Sequence, residues 1–267
     1  MPRKSIARKF TITDFYSSFH FLWNPEFAFH GEAHEMWEIV FVKSGEVEVT
    51  ENEKIYLLER NNLIIHAPWE FHRIRSAGGT SPEVYVMSFY ANGEIPLQLK
   101  EGVFILDAEQ GLKHIALCRS VGAFLTDTHP SPYGGQEAAD SLSAFLVSLS
   151  GENVNPRSDT SAAATEYRKI VVSMTNHVCE NKTLSDFARE CGDSVSYIKQ
   201  LFQKYAGISP KAYYNQLRIR HATKLLEQDV PVREIAERMN FSSSNYFSSF
   251  FKQHTGFSPN GYRHKGQ

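Results

Sequence analysis

The stretch DFARECGDSVSYIKQLFQKYAGISPKAYY, residues 186–214, recurs in altered form as EIAERMNFSSSNYFSSFFKQHTGFSPNGYR, residues 234–263. Ala188 aligns with Ala236, and Gly207 aligns with Gly256, so the offset between the copies grows by one along the repeat. The second copy therefore carries one additional residue at its turn. Because a solenoid needs at least about three stacked units, two copies favour a duplicated module instead.

Each copy predicts a short helix, a tight turn and a second helix. In the first copy Gly192 lies in the turn, where glycine accepts positive φ, and Ser194 is the predicted N-cap of the second helix. Ile198, Leu201 and Phe202 follow at i, i+3 and i+4, so they are expected to face a core. This pattern is typical of a helix-turn-helix unit.

The outward faces of the two second helices are polar and free of carboxylates. In the first copy this face would enter the major groove of DNA, where Lys and Gln can contact guanine and adenine edges. The second copy offers shorter side chains, which favours weaker or phosphate-directed contacts. The predicted DNA-binding residues are Ser196, Tyr197, Lys199, Gln200 and Gln203 in the first copy, and Ser244, Asn245, Ser248, Ser249 and Lys252 in the second.

The segment SPKAYYNQLRIRHATKLLEQ, residues 209–228, predicts a helix that joins the two copies, with Ser209 as N-cap. Such a helix of about 18 residues spans roughly 27 Å, close to the ~34 Å of one DNA turn. It could therefore place both recognition helices in successive grooves. Arg218, Arg220 and Lys224 are expected to supply positive charge along it.

The charge distribution separates the two halves of the chain. The net charge of −2 divides into −8 for residues 1–164 and +6 for residues 165–267, counting Lys and Arg against Asp and Glu. A basic half that carries this repeat favours a polyanionic partner, because neutralised phosphates release counterions. No run of about 18 apolar residues suggests a membrane span, and no signal peptide is evident, so a cytoplasmic protein without membrane contact is expected.

The first half predicts strands and then two helices. Short strand patterns with turn signals extend from about Phe27 to Tyr90, and Ile39–Val42 is a continuous apolar run suited to a core strand. Residues 111–128 and 137–150 predict helices. The expected fold is α+β with two domains: residues 1–150 form a β-barrel with following helices, 151–164 a linker, and 165–267 an all-α domain with two helix-turn-helix units.

At these positions the sequence resembles the AraC/XylS family of transcription regulators. The resemblance covers Tyr167 to Arg263 and is carried by A-x(3)-G-x-S-x(2)-Y-x(3)-L-F from Ala188 to Phe202 and F-x(3)-F-K-x(3)-G-x-S-P-x(2)-Y-R from Phe247 to Arg263. The base-contacting positions of the family then correspond to Ser196, Lys199, Gln200, Ser244, Asn245, Ser248 and Ser249. Two residues depart from the pattern: Asn240 replaces a glycine, and Pro231 stands where a capping residue is usual.

The resemblance implies that the N-terminal domain is a cupin-like barrel that senses a small molecule and supports a homodimer. Sugars are common effectors in similar proteins, so a carbohydrate is expected, with promoter or operator DNA and RNA polymerase as further partners. A metal-binding cupin would place a second His where Met36 stands, so no metal and no cofactor are predicted. The predicted ligand-binding residues are His34, Trp37, Glu38, Trp69, Phe71 and His72.

Two other functions fit parts of the sequence. A cupin-like enzyme fused to a DNA-binding tail would need three or four metal ligands, and only His34, Glu38 and His72 stand at suggestive positions, so no enzymatic activity is predicted. A ligand-independent architectural DNA binder would differ in gaining no thermal stability from any metabolite. For the barrel residues, ordinary structural roles with satisfied polar atoms also stay open.

Overall fold

The computed structural model describes residues 8–96, 99, 103–129, 131–149 and 157–264. It is a mixed α and β fold in which an antiparallel sheet domain precedes a helical domain, as predicted. The strands are β1 (Phe10–Leu22), β2 (Trp37–Ser44), β3 (Glu46–Glu51), β4 (Lys54–Leu58), β5 (Asn62–His66), β6 (His72–Ala77), β7 (Glu83–Gly93), β8 (Val103–Ile105) and β9 (Arg157–Ser158). The helices are α1 (Ala108–Thr126), α2 (Gly134–Leu149), α3 (Ala162–Asn176), α4 (Leu184–Cys191), α5 (Val195–Tyr205), α6 (Pro210–Glu227), α7 (Val232–Arg238), α8 (Ser244–Thr255) and α9 (Pro259–His264).

The strands form two antiparallel sheets with a core between them. One sheet has the order β1-β7-β2-β5-β8, and the other has the order β6-β3-β4-β9. Apolar side chains from both sheets, including Val42, Val49 and Ile74, pack together in the space between them. In β3, Val47 and Val49 alternate with Glu46 and Glu48, which is the period of two of a half-buried strand, and both valines are fully buried.

The larger sheet is covered on its outer face by α1 and α2. Ile39 and Phe41 of β2 point into this second core, whereas Val40 and Val42 point between the sheets, so the run Ile39–Val42 is buried on both faces as predicted. The apolar spacing of residues 111–128 predicts one shared side for Leu112, Ile115, Ala116, Val121 and Leu125. In α1, Ile115 and Val121 are buried together with His114 and Cys118, whereas Leu112, Ala116 and Leu125 are exposed.

Strand β1 was not predicted from the sequence. It pairs with β7 along the edge of the larger sheet, and its register shifts between Ile12 and Asp14 and again between Phe15 and Ser17. Each irregularity moves the following side chains to the other face, so the period of two that marks a strand is lost. The sequence pattern therefore gives no indication of this long strand of the barrel.

The helical domain follows the capping signals of its sequence. The side chains of Thr183, Ser194 and Ser209 accept hydrogen bonds from backbone N–H groups in the first turns of α4, α5 and α6. Gly192 and Asn240 adopt the left-handed conformation, with φ of 75° and 55°, at the turns of the two units, which are the positions predicted for it.

The later part of the segment between the domains is among the described residues. Residues 151–156 of the predicted linker lie outside the described residues, and Arg157 and Ser158 form β9 and pair with β4 of the smaller sheet. Helix α3 then begins at Ala162, with Ser161 as its N-cap. The end of the predicted flexible stretch therefore belongs to the barrel and to the first helix of the next domain.

Candidate DNA-binding surface and ligand site

Helix α5 presents a polar face to solvent. Ile198, Leu201 and Phe202 are buried in the helical core, which confirms their predicted direction. The Ser194 hydroxyl accepts a hydrogen bond of 3.1 Å from the Tyr197 N–H and so fixes the start of the helix. All five predicted DNA-binding side chains of this helix are exposed: Ser196, Tyr197, Lys199, Gln200 and Gln203.

Helix α8 repeats this arrangement with smaller side chains. The Ser243 hydroxyl accepts a hydrogen bond of 3.1 Å from the Tyr246 N–H, while Phe247 and Phe251 fill the core. The spacing of Phe247, Phe250 and Phe251 predicts that all three face inward, but Phe250 is only half-buried and lies against the Phe241 ring. Of the predicted DNA-binding residues, Asn245, Ser249 and Lys252 are exposed, and Ser244 and Ser248 are half-buried.

Arg218 and Arg220 of α6 do not form the charged surface that the sequence predicted. The buried Arg218 guanidinium donates to Asn181 Oδ1 at 2.8 Å and to the Met239 carbonyl at 2.7 Å, and it lies 4.2 Å from the centre of the Phe241 ring. It therefore joins α6 to the second unit. Arg220 points toward the barrel, and of the three cationic side chains only Lys224 is exposed.

Three predicted ligand-binding residues meet at one end of the barrel. His34 Nε2 lies 3.7 Å from Glu38 Oε2, and His72 Nε2 lies 3.4 Å from Glu38 Oε1. Glu32 joins them, although sequence analysis did not identify it, because its backbone forms a bridge with His72. Its Oε1 lies 3.9 Å from His34 Nε2 and 4.0 Å from His72 Nε2. These four residues are called the imidazole-carboxylate cluster below.

The charges inside this cluster depend on one another. Burial alone would raise the pKa of Glu38, but the nearby imidazoles of His34 and His72, 3.7 and 3.4 Å away, favour its charged form and hold that pKa well below its usual value. Burial likewise acts to lower the pKa of His72, and the contact with Glu38 outweighs it and raises that pKa to about 9. Glu38 therefore carries a negative charge that both imidazoles face.

A second polar group lies deeper in the barrel and reaches the helical domain. His66 Nδ1 is 3.0 Å from Glu51 Oε1, and the His66 ring stacks on the His72 ring with centres 4.3 Å apart. Burial lowers the pKa of His66 to about 3 and raises the pKa of Glu51 to about 7. Glu70 lies beside them, with its Oε1 3.6 Å from Arg220 Nη2.

The other three predicted ligand-binding residues point elsewhere. Trp37 and Glu38 are neighbours on one strand, so their side chains lie on opposite faces, and Trp37 packs on Phe89 in the core below α1. Phe71 is buried in the helical-domain core, with its ring centre 4.6 Å from that of Tyr213. Trp69 lies between the domains. The structure does not bring these aromatic rings together around His34.

Trp69 connects the loop of the cluster to the last described helix. Its indole Nε1–H donates to the Tyr262 hydroxyl at 2.8 Å, and its backbone N–H donates to the His34 carbonyl at 2.6 Å. Its φ of 60° is in the left-handed region. That region costs a non-glycine residue about 1–2 kcal/mol. Contacts on both sides of Trp69 therefore hold a strained backbone at the domain boundary.

Further contacts between the barrel and the helical domain end on main-chain carbonyl groups. The Gly31 N–H donates to the Ala206 carbonyl at 3.2 Å, and the Arg73 guanidinium donates to the carbonyls of Phe29 and Lys204. These contacts involve the end of α5 and the turn after it. They leave the predicted DNA-binding residues of α5 and α8 on the solvent side.

A cavity of about 950 Å³ opens between residues of the two domains. This volume is at the upper end of the range for small-molecule sites. Glu35 and Pro68, the chain neighbours of His34 and Trp69, line it, and no sequence signal indicated it. The other lining residues are Thr13, Asp14, Phe15, Tyr90, Ala91, Asn92, Leu226, Glu227, Asp229, Tyr262 and Arg263.

Two protein-family models match the chain. A model described as an AraC-like ligand binding domain matches residues 15–148, and a model described as a helix-turn-helix domain matches residues 187–265. The HTH-type transcriptional activator RhaR of Enterobacter sp. (strain 638) is 23% identical over 258 residues, which cover 91% of this chain and 90% of RhaR. The HTH-type transcriptional regulator ExsA of Pseudomonas aeruginosa is 34% identical over 92 residues, so the match spans only 33% of ExsA and 34% of this chain.

Solved structures with a similar chain course include ToxT from Vibrio cholerae. It shares 15% identity, and the alignment covers 96% of this chain and 98% of ToxT with a TM-score of 0.39. The C-terminal domain of AraT from Geobacillus stearothermophilus is 30% identical over 39% of this chain and 88% of that domain, with a TM-score of 0.37. Among the described helices, none is both long enough and apolar enough to cross a membrane.

Proposed function

The chain belongs to the AraC family of DNA-binding transcription regulators, and from this premise we propose that a small polar effector, a carbohydrate or a related metabolite, controls its binding to promoter DNA. Its relatives are regulators rather than enzymes, which agrees with the prediction that it has no enzymatic activity. The observation that carries the proposal is the pair of capped, polar and solvent-facing helices α5 and α8, joined by α6.

The α5 face is the part of the surface that we propose to determine sequence specificity. Lys199 and Gln200 are exposed and have long, flexible side chains that can reach base edges in the major groove. The Ser and Asn side chains of α8 are shorter, so this helix is proposed to contact mainly phosphates. The test therefore separates loss of specificity from loss of general affinity.

Substitution of these two side chains should weaken specific binding without unfolding the protein. We expect Lys199→Ala and Gln200→Ala each to reduce affinity for a specific site by about 5- to 150-fold, because one well-placed base contact contributes roughly 1–3 kcal/mol. Sites would be selected from a random DNA pool, and affinity measured by fluorescence anisotropy at fixed salt. The exposed Lys9→Ala, before β1, and the exposed Gln228→Ala are matched controls.

Two results would decide against this proposal. If both α5 variants gave the same footprint and affinity as the controls, α5 would not be the recognition helix. If the unmodified protein retained no DNA fragment even at low ionic strength, where phosphate contacts are strongest, the regulator function itself would fail.

The effector is proposed to bind where the imidazole-carboxylate cluster meets the interdomain cavity. Glu35 and Tyr90 line the cavity on the barrel side and Glu227 on the helical side, and carboxylate and phenol groups suit the hydroxyl groups of a carbohydrate. A ligand that contacts both domains favours one of their arrangements and so shifts a population. A thermal-shift screen of sugars and related metabolites tests this, and a protein that none of them stabilises would favour a ligand-independent DNA binder.

A homodimer is proposed to form through α1 and α2. Leu112 is 68% exposed and Leu125 is 38% exposed. Such exposure is expected when an apolar surface is covered by a second copy. Two copies would present four recognition helices to a repeated site. We also propose that the protein acts in the cytoplasm and that RNA polymerase is a further partner at the promoter. Sedimentation of Leu112→Asp beside the unmodified chain tests the dimer.

A further inference from the structure

Three side chains of the imidazole-carboxylate cluster, Glu32, His34 and His72, each offer one ligand atom within 4.8 Å of the other two, and Glu38 lies beside both imidazoles. The imidazole nitrogens lie 3.4 to 4.0 Å from the carboxylate oxygens: His72 Nε2 to Glu38 Oε1 is 3.4 Å, His34 Nε2 to Glu38 Oε2 is 3.7 Å, and Glu32 Oε1 lies 3.9 and 4.0 Å from Nε2 of His34 and of His72. In tetrahedral coordination with metal–ligand distances of about 2.0–2.2 Å, the ligand atoms lie about 3.3–3.6 Å from one another. A small inward movement of these side chains would complete such a sphere.

The imidazole nitrogens between these side chains have no hydrogen-bond partner. His72 is 1% exposed, and its Nε2 atom, like both ring nitrogens of His34, is buried without a hydrogen bond. Buried polar atoms are normally satisfied, because each unsatisfied one costs about 1–3 kcal/mol. The separation of 3.4 Å between His72 Nε2 and Glu38 Oε1 is the shortest in the cluster. It already exceeds the roughly 2.7–3.2 Å of a good N–H···O bond. An ion between these atoms would satisfy them together.

Neighbouring groups orient the ligands for this role. His72 Nδ1 is 3.0 Å from the Glu70 carbonyl, and because a carbonyl only accepts, Nδ1 carries a hydrogen; an ion that displaces the Nε2 proton would therefore meet the Nε2 lone pair on the side of the cluster. The Ser88 hydroxyl donates to Glu38 Oε2 at 3.1 Å and holds that carboxylate in place. These outer contacts resemble those that fix the tautomer and direction of metal-binding histidines.

We propose that Glu32, His34, Glu38 and His72 bind one divalent first-row transition metal ion, with Zn²⁺ as the best match to two imidazoles and two carboxylates. Glu32 supplies the ligand that Met36 cannot. The side chain of Glu32 is 46% exposed, so the outer side of the ion faces solvent and could accept an oxygen atom of the effector. In this respect the inference rests on the proposed effector site.

The test is metal binding by the full-length, tag-free protein after removal of metals with a chelator. Isothermal titration with ZnCl₂ should give one ion per chain, and Co²⁺ should give the visible absorption of a four-coordinate site. His34→Ala and Glu32→Gln should each weaken Zn²⁺ affinity by at least about tenfold, the lower end of the loss seen when metal sites are altered. His129→Ala and Glu26→Gln, at exposed positions outside the cluster, are matched controls.

Glu32→Gln keeps the proposal testable if His34→Ala misfolds, because Glu32 is partly exposed and its amide replacement has the same shape. Circular dichroism of each variant establishes that it is folded. The proposal is overturned if the unmodified chain binds no ion more tightly than Glu32→Gln does. Binding of Zn²⁺ by a chain that retains no DNA would instead contradict the regulator function alone, and specific DNA binding without any ion would contradict only the metal site.

Discussion

Arg218 connects the two helix-turn-helix units, and its removal gives a sharp test of how the helical domain is held together. We consider Arg218→Met, which keeps most of the aliphatic stem and removes the guanidinium. The change leaves the buried Met239 carbonyl without its donor at 2.7 Å and Asn181 Oδ1 without its donor at 2.8 Å. It also removes the contact of the guanidinium with the Phe241 ring at 4.2 Å.

The expected loss of stability is the difference between these contacts and the cost of burying a charge. A buried carbonyl left without a partner costs about 1–3 kcal/mol, and a partly desolvated cation–π contact contributes about 0.5–2 kcal/mol. Burial lowers the pKa of Arg218, so removal of the charge returns part of this free energy. We therefore expect a net loss of about 2–3 kcal/mol in the free energy of unfolding.

The assay is thermal unfolding followed by circular dichroism at 222 nm, where the helical domain dominates the signal. For a domain of about 100 residues, 1 kcal/mol corresponds to roughly 4–8 °C, so the melting temperature should fall by about 10–20 °C. Arg233→Met is the matched control, because Arg233 is exposed and, among the residues that the structure describes, its ion pair is with Glu237 on the same helix. If both variants melted within about 1 °C of the unmodified protein, Arg218 would not hold the units together.

Three further predictions concern other parts of the molecule. Burial lowers the pKa of His114 to about 3, so the unfolded chain binds more protons between that pH and its ordinary pKa of 6.5. Stability should therefore fall as pH falls through this window, by about 1.4 kcal/mol per pH unit. His114→Leu should remove this part of the slope in denaturant titrations at two pH values within the window, and an unchanged slope would contradict the buried neutral imidazole. Gly207→Ala should lower the melting temperature measurably, because Gly207 has φ of 71° and a Cβ there would lie 2.7 Å from Arg73 Nε. Equal stability of that variant would show that the turn relaxes. Trp69→Phe removes one hydrogen bond to Tyr262. Since such a bond contributes about 1 kcal/mol, amide exchange in α9 should quicken about fivefold by mass spectrometry, and unchanged exchange would mean that this bond does not hold the helix.

The helical domain could be predicted because its signals are local. Caps such as Ser194 and turn residues such as Gly192 act on backbone groups a few residues away, and the apolar spacing of Ile198 and Leu201 is read directly from the sequence. Arg218 and Arg220 could not be placed in this way. Their partners are contributed by distant parts of the chain, so charge alone suggested a DNA-facing role that the fold does not give them.

The ligand site shows the same limit in the barrel. Strand alternation alone separates Trp37 from Glu38, and applying it would have removed Trp37 from the predicted pocket. No spacing in the sequence identifies Glu32, in contrast. An isolated backbone bridge joins it to His72, the first residue of β6, and so brings the two side chains together. The interdomain cavity could not be predicted either, because residues of both domains line it and no sequence pattern indicates a gap between two domains.

Two chains of contacts connect the imidazole-carboxylate cluster to the helical domain, and the proposed control of DNA binding depends on both. The His34 carbonyl holds the Trp69 N–H, and the Trp69 indole holds Tyr262 of α9. His72 Nδ1 donates a hydrogen bond to the Glu70 carbonyl, and the Glu70 carboxylate faces Arg220 of α6. Because α6 and α9 flank the second helix-turn-helix unit, a ligand that moves His34 and His72 slightly would act on both of its supports at once. Such coupling requires two packed arrangements rather than gradual deformation, since tightly packed cores are bistable. Trp69 is held at φ of 60°. It is therefore the residue at which the strain of one arrangement would be released in the other.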